Sequence, residues 1–509
     1  MLNSIIINGK QEGGGILIKK LSELALLIPE AKILGNDVEI SGIEHDSRKV
    51  TAKNLFVCME GAHVDGHNFI PQAVDGGAVA VLTARQNFTP PENISALVVP
   101  DMLNALAVIV PYFYDYPARA MRVVGVTGTN GKTTTTYMLR EIFSTAGLKV
   151  GVIGTIQILI GDESFPNPNT TPNVIDLQHV FADMRAKNVQ VVVMEVSSHA
   201  LAENRVAGVE FDTAIFTNLT QDHLDFHGTM ENYLRAKAKL FDMVSRKGRK
   251  QNKSAIVNVD DAAGEEILRH CHCNKISYGV ENSADLHAVD VNVKSDGMKF
   301  KIRADFGVMN LTLHVTGIFN VYNVLATIGA ALAENISPEI IKRALENFRC
   351  VPGRFERIFS SAPFEVIVDY AHTPDGVKNV LETARQIVTG KIITVFGCGG
   401  DRDNKKRPIM GKLAAELSDV VIATSDNPRT ENPEKILDDI EIGIREVIGE
   451  KIYERIADRR TAIFRAIELA NSGDVVLILG KGHEDYQILN TGKIHFDDRE
   501  VAREAIDKL

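Results

Sequence analysis

The run Gly125-Val-Thr-Gly-Thr-Asn-Gly-Lys-Thr-Thr-Thr-Thr136 is the part of this 509-residue chain whose residue types are best suited to chemistry. It follows the apolar stretch Arg122–Val126 and opens a helix-forming stretch, Lys132–Ala146, which is the setting a phosphate-binding loop needs. Gly128 and Gly131 allow the backbone to curl so that its N–H groups face a polyphosphate. The helix N-terminus at Lys132, Thr133 and Thr134 adds partial positive charge. Lys132 can reach the terminal phosphates as a point charge, and the Thr133 hydroxyl can hold Mg²⁺. The spacing departs from GxxxxGK[ST], because Val126 stands where the first Gly would be. Nucleotide binding follows from the loop; the use made of the phosphate does not.

Other polar segments sit where strand candidates end, which is where α/β proteins place their sites. Met194-Glu-Val-Ser-Ser-His199 closes the buried strand candidate Gln190–Val196 and carries Glu195. The run from Thr217 to Gly228 follows the candidate Thr213–Thr217 and carries His223. Tyr233–Phe241 reads as a helix holding Lys237, and Gly317-Ile-Phe-Asn-Val-Tyr-Asn323 opens another with Asn320 and Asn323. Each residue alone has an ordinary reading: a strand-end carboxylate, a packed or solvated histidine, a solvated helix lysine, two helix-capping asparagines. In the last third, Gly399-Gly-Asp-Arg-Asp403, Asp426-Asn-Pro-Arg429 and Gly480-Lys-Gly-His-Glu-Asp-Tyr486 each follow a strand candidate. Near the N-terminus, Asp46-Ser47-Arg48 is a weak signal that any exposed turn could carry.

The scaffold behind these segments reads as α/β. Through about Tyr116, short strand candidates such as Asn54–Met59 and Ala78–Leu82 surround Gly-rich turns, and the helical stretch Met102–Tyr114 closes the region. From Ala118 buried strands and helices alternate, as in a mostly parallel sheet. His287–Val293 and Met298–Ala304, around Ser295-Asp296-Gly297, read as an added hairpin. Helices Val321–Glu334 and Pro338–Asn347 follow, the second with Ser337 as N-cap. Phe364–Asp369, Lys391–Phe396, Val420–Thr424 and Val475–Leu479 read as strands of a further α/β domain, Rossmann-like in pattern. Its Gly397-Cys398-Gly399-Gly400 run lacks the GxGxxG spacing, which argues against a nicotinamide cofactor. Three domains are expected: 1–117, 118–349 and 350–509.

A net charge of −10 argues against a protein-wide nucleic-acid surface. Met1–Lys10 has no basic region leading into an apolar core, and no apolar run approaches the ~20 residues that span a bilayer. The five cysteines form no secreted-type framework, so a cytoplasmic protein without membrane partners is expected. His270-Cys271-His272-Cys273 is rich in metal-ligand types but has no second cluster at finger-like spacing. It is read as a surface connection.

Taken together and in this order, the segments resemble the Mur ligase family, whose members are similar to folylpolyglutamate synthetases and make amide bonds through acyl phosphates. The resemblance spans nearly the whole chain. It implies ATP bound by Gly128 to Thr134, with Asn320 and Asn323 near the adenine and Arg354 and Asp369 closing over the nucleotide. It implies Mg²⁺ held by Thr133, Glu195, His223 and Lys237, the lysine as a carbamate, with Lys132, Lys237, Glu195 and His223 as the catalytic set. Ser47, Asn169, Thr170, Thr171, Ser197 and Arg205 match positions that hold the UDP-linked substrate; Glu203 stands where relatives often carry Gln. The run Asp426-Asn427-Pro428-Arg429 resembles the branch that takes meso-diaminopimelate, with Arg402, Gly480 and Glu484 beside it. Diaminopimelate has a second carboxylate that lysine lacks, and an Arg fork can bind it bidentately. The implied reaction adds meso-diaminopimelate to the D-glutamate of UDP-N-acetylmuramoyl-L-alanyl-D-glutamate, by a monomer. The same reaction with L-lysine or another diamino acid stays open, as does a nucleotide-driven switch or motor that shares only the phosphate loop.

Overall fold

Continuous runs of Val, Ile and Leu bounded by polar segments form buried parallel strands, and the computed structural model places them in α/β layers. It describes residues 17–61, 64–294 and 296–509. Met1–Lys10 and Ser295 of the expected hairpin turn lie outside the described residues. The chain forms two compact units. The first holds the described residues through 125 with 147–213 and 242–253; the second holds 126–146, 214–241 and 254–509.

In the first unit, a five-stranded sheet runs in the order Lys32–Leu34, Ser95–Val98, Ala78–Thr83, Asn54–Val57, Gly42–Glu44. Only Lys32–Leu34 is antiparallel to its neighbour. Leu55, Ala80, Leu82 and Leu97 pack on Ile109 and Phe113 of the helix Met102–Phe113, which Asp101 caps, and on Val174 and Ile175 of the helix Val174–Ala186. That second helix has no counterpart in the sequence reading. The same unit pairs Val150–Ile153 in parallel with Val191–Glu195 and carries the hairpin Ile158–Ile160 and Glu163–Phe165 at the edge.

In the second unit, Ser254–Asn258, Asn274–Gly279 and Leu286–Lys294 run parallel and continue antiparallel through Gly297–Ala304 and Gly307–Leu313. The expected two-stranded hairpin is therefore a three-stranded meander. Met309, Leu311 and Leu313 alternate inward on its last strand. Ser337 caps the helix Pro338–Asn347 as expected.

A six-stranded sheet follows in the same unit, in the order Glu356–Arg357, Glu365–Asp369, Val475–Leu479, Ile392–Phe396, Val420–Ala423, Ile452–Arg455. All but the first strand are parallel. Its faces separate by alternation. Ile367, Phe396, Val421 and Leu477 pack against the helices Pro374–Ile387, Lys406–Leu417 and Pro433–Val447. Val366, Val395, Ile422 and Val476 pack against Arg459–Leu469 and Asp498–Ile506. Burial at about 25 cal/mol per Å² on both faces fixes the strands, and with them the loops at their carboxyl ends. Among the described residues no helix is long and apolar enough to cross a membrane.

Candidate active site

The strand Arg122–Thr127 delivers the chain into the phosphate loop, and the helix Lys132–Thr145 leaves it. Gly128 (φ +149°) and Gly131 (φ +87°) are required by conformation and by space. A Cβ at Gly128 would strike the Thr217 hydroxyl, and one at Gly131 the Asn323 amide oxygen. The segment after the strand Thr213–Phe216 bolts the loop down. Thr217 Oγ1 donates to the Asn130 carbonyl (2.6 Å), Asn130 N–H donates to Asn218 Oδ1 (2.8 Å), and Thr129 N–H donates to the Asn218 carbonyl (2.9 Å). Thr217 and Asn218 escaped the sequence reading although they open the segment quoted for His223.

Two lysines converge on one carbonyl. Lys132 Nζ donates to Gly128 O (3.0 Å) and Thr129 O (2.8 Å), and Lys237 Nζ donates to Gly128 O (2.8 Å). Lys237 is fully buried, 4.2 Å from the face of Tyr233. Burial first, then the charge of Lys132, holds its pKa well below the ordinary value, against the opposing pull of Asp222. The Tyr233 hydroxyl lies 3.2 Å from Thr129 Oγ1. His223 sits at φ +54° with Nε2 3.2 Å from Asp222. Burial opposes the charge on Asp222, yet His223 and Lys406, the latter 3.7 Å away, hold its pKa at about 2.

The expected nucleotide-side residues also lie in this second unit. Arg354 Nη2 donates to Thr133 Oγ1 (2.9 Å) and its guanidinium lies 4.6 Å from the ring centre of Tyr370. Asp369, at the end of its strand, accepts N–H bonds from Phe355 (2.6 Å) and Ala371 (2.7 Å). Burial raises its pKa, against Arg354 and those two bonds. Asn130 Nδ2 donates to Asp375 (2.7 Å), a partner the sequence did not suggest. The helix carrying Asn320 and Asn323 begins at Ile318, three residues earlier than read, and Gly317 is its N-cap. The asparagines are therefore not caps. Asn320 donates to Thr316 O (2.7 Å) and Asn323 donates to Asn320 Oδ1 (3.0 Å), both buried.

In the first unit, Glu195 is buried at the end of Val191–Glu195. Its oxygens accept from Thr155 N–H (2.9 Å) and Thr155 Oγ1 (2.9 Å), and Thr155 Oγ1 lies 3.0 Å from Thr170 Oγ1. Thr171 Oγ1 donates to Glu195 O (2.9 Å) and accepts from Ser197 N–H (3.0 Å), so Thr170, Thr171, Glu195 and Ser197 form one cluster. Arg205 Nη1 reaches Thr171 O at 3.4 Å, while its Nε donates to Glu203 (2.6 Å). The departure at Glu203 thus neutralises Arg205. Asn169 is exposed, and Ser47 Oγ donates to Gln72 (2.6 Å). Of the metal-ligand types at 270–273, Cys271 is buried, with its thiol on Ile267 O (3.2 Å), so the expected surface connection is partly internal.

The third set lies at the carboxyl ends of adjacent strands of the six-stranded sheet. Arg429, half-buried at φ +53°, donates to Gly400 O (2.8 Å) and Asn427 O (3.4 Å). Asn427 Nδ2 donates to Glu484 Oε2 (2.9 Å), and Lys481 Nζ lies 3.1 Å from the same oxygen. Asp426 is buried and accepts Asn427 N–H (2.6 Å). A Cβ at Gly480 (φ +115°) would strike Asp426. Pro428 is buried beside Arg429, whereas Arg402 is exposed and donates to the neighbouring Asp401 O (3.0 Å). Lys481 was not singled out although it stands inside the quoted Gly480–Tyr486 run.

A phosphate loop with two lysines on its Gly128 carbonyl, on an α/β frame, defines a nucleotide-using enzyme. Three family models match the chain: "Mur ligase family, catalytic domain" at residues 39–120, "Mur ligase middle domain" at 126–331, and "Mur ligase, glutamate ligase domain" at 353–482. A Clostridium botulinum protein named UDP-N-acetylmuramoyl-L-alanyl-D-glutamate--2,6-diaminopimelate ligase is 45% identical over 478 residues, 93% of this chain and 96% of that one. A Geobacillus thermodenitrificans protein of the same name is 46% identical over 473 residues, with the same coverage of both. A solved structure of a ligase of that name is 33% identical, covers 92% of this chain and 95% of its own, and superposes with a TM-score of 0.64. The chain belongs to the Mur ligase family, with its three-domain α/β architecture.

Proposed function

We propose that this chain is an ATP-dependent ligase that joins meso-diaminopimelate to the D-glutamate carboxyl of UDP-N-acetylmuramoyl-L-alanyl-D-glutamate. The observation that carries this reading is the presence, in one compact unit, of Lys132 and Lys237 on the Gly128 carbonyl and of the Asp426–Arg429 loop beside Glu484. The relatives named for this reaction support it. The D-glutamate carboxylate attacks the γ-phosphorus of ATP, ADP leaves, and an acyl phosphate forms. The diaminopimelate amine then attacks the acyl carbon, phosphate departs, and the amine loses its proton. Lys132 meets the charge that develops on the phosphoryl oxygens, and Arg354 and Asp369 order the nucleotide side. Asn320 and Asn323 offer donor and acceptor groups to the adenine. Ser47, Asn169, Thr170, Thr171, Ser197 and Arg205 hold the UDP-linked substrate. Arg429, with Arg402, takes the distal carboxylate of diaminopimelate, and Glu484 its ammonium.

The donor types fit Mg²⁺, taken unit by unit: Thr133, His223 and Lys237 in the second, Glu195 in the first. The Thr133 hydroxyl and the Glu195 carboxylate are hard oxygen ligands, and each oxygen keeps a lone pair beyond the bonds it accepts here. His223 and a carbamylated Lys237 complete the expected ligands. The bound metal would supply positive charge to the phosphoryl group during transfer. Lys237 suits carbamylation because burial favours its neutral amine, the form that captures CO₂. A cytoplasmic monomer with domains at 1–117, 118–349 and 350–509 completes the reading.

The test is one incubation of the full chain with the dipeptide nucleotide, ATP, Mg²⁺ and each diamino acid, read by product mass and ADP. The expected result is an amide with diaminopimelate and ADP release that needs both substrates. ATP hydrolysis unaffected by either substrate, with no amide formed, overturns the reading and favours a switch or motor.

A further inference from the structure

We propose that Lys481 is a specificity-determining residue, a buried fixed cation that makes the amino-acid site favour a molecule with two carboxylates over a net-cationic diamino acid. The proposal rests on the ligase reading and names a residue that sets its amino-acid choice. Lys481 follows the strand Val475–Leu479 and has no solvent exposure. A lysine in such a place is destabilising unless its charge is met. Glu484 Oε2 at 3.1 Å and Asn427 Oδ1 at 3.4 Å meet it, with the Tyr486 ring 5.5 Å away.

Asn427 joins this pair to the Arg429 arm. Its Nδ2 donates to Glu484 Oε2, its Oδ1 accepts from Lys481 and from Ile488 N–H (2.9 Å), and its carbonyl accepts from Arg429. Glu484 is therefore not a lone carboxylate waiting for an ammonium. Arg429 and Lys481 balance Asp426 and Glu484, and the exposed Arg402 stands beside Asp401, so the six groups sum to zero charge. Diaminopimelate, with two ammonium and two carboxylate groups, is also net neutral and gains by pairing group to group. Lysine, with one carboxylate fewer, carries a net positive charge that a balanced site does not reward. Without Lys481 the site would hold one surplus negative charge. Lysine would then be favoured, and diaminopimelate would bring its second carboxylate into a site with one more negative charge.

The experiment measures kcat and KM for diaminopimelate and for L-lysine, at saturating ATP, Mg²⁺ and dipeptide nucleotide, in the wild-type chain and in Lys481→Met, Lys481→Arg and Lys481→Met/Glu484→Gln. Lys481→Met is expected to raise the KM for diaminopimelate and move the kcat/KM ratio toward lysine by about tenfold or more, with the KM for ATP unchanged. Lys481→Arg, which keeps the charge, should retain the wild-type ratio, and the double variant should lose the gain toward lysine. An equal loss on both amino acids, with the ratio unmoved, would overturn the proposal and leave Lys481 a structural residue. Should Lys481→Met fail to fold, Lys481→Gln is read by the same ratio. A wild-type chain that joins neither amino acid overturns the ligase reading itself, and the proposal falls with it.

Discussion

At the phosphate loop, Lys132 donates to the main-chain carbonyls of Gly128 and Thr129, whereas in the loop after Leu479 Lys481 sits against the Glu484 carboxylate. A cation on a carbonyl keeps its full charge for an incoming anion. A cation beside a carboxylate gives most of that charge away and keeps its position and direction. The first arrangement gives strong attraction to any polyphosphate and little selection; the second gives selection with modest attraction. On the proposed reading, one region drives the chemistry and the other chooses what enters it.

The comparison breaks most sharply at Lys132. Lys132→Ala is expected to lower kcat by roughly 10²–10³-fold in an ADP-release assay, as for a lost transition-state donor. Loss in the KM for ATP alone would mean that Lys132 only binds. Arg429→Ala comes next. It should raise the KM for diaminopimelate by the equivalent of about 2–5 kcal/mol while sparing the KM for ATP. Equal activity with lysine before and after the change would remove Arg429 from amino-acid selection. Gly131→Ala tests the geometry of the first region rather than its charge. The strained φ and the clash with Asn323 should cost about 1–2 kcal/mol or more in thermal unfolding. An unchanged Tm would show that the loop is not held as described.

A pH series sharpens the same contrast. Asp222 has a folded pKa of about 2, below its ordinary value of 3.8, so it binds protons less readily when folded. Its contribution to stability is present above pH ~4 and is lost as pH falls toward about 2. Urea midpoints across that range should drop more steeply for the wild-type chain than for Asp222→Asn. Parallel curves would exclude the contribution. The smallest effect is expected at Glu203→Gln, which frees Arg205 from a half-exposed ion pair. The KM for the dipeptide nucleotide should fall by the equivalent of about 0.5 kcal/mol, and a rise would show that Glu203 positions Arg205 usefully.

What the sequence made legible was local. The strand, the loop with Gly128 and Gly131, and the helix after Lys132 are contiguous, so spacing alone reveals them. The helix Val174–Ala186 escaped because it is buried nearly all round. Asp176, His179 and Asp183 leave only a narrow polar stripe, and the polar Gln178 is buried on the other side, which blurs the period of 3.6. The last strand of the meander, Gly307–Leu313, was legible but missed: Met309, Leu311 and Leu313 alternate with Asn310 and Thr312, the period-2 signal of a half-buried strand. At the site, Asp222, Tyr233 and Lys481 were overlooked for a different reason. Their roles come from burial and from partners as far as 184 residues away, such as the Asp222–Lys406 and Tyr233–Thr129 pairs, which no local pattern announces. Glu203 was noticed as a departure, but only the fold shows its carboxylate on Arg205.

The alternation of the six-stranded sheet has a consequence for how such proteins change their diet. Because Val421 faces one helical layer and Ile422 the other, a one-residue slip would turn every strand side chain toward the wrong layer. The connections beyond Ala423 and Leu479 are thus hung from a frame that does not move when they are rewritten. Grafting a foreign stretch in place of residues 426–429 should therefore retune amino-acid preference while the melting behaviour of the frame stays as it was.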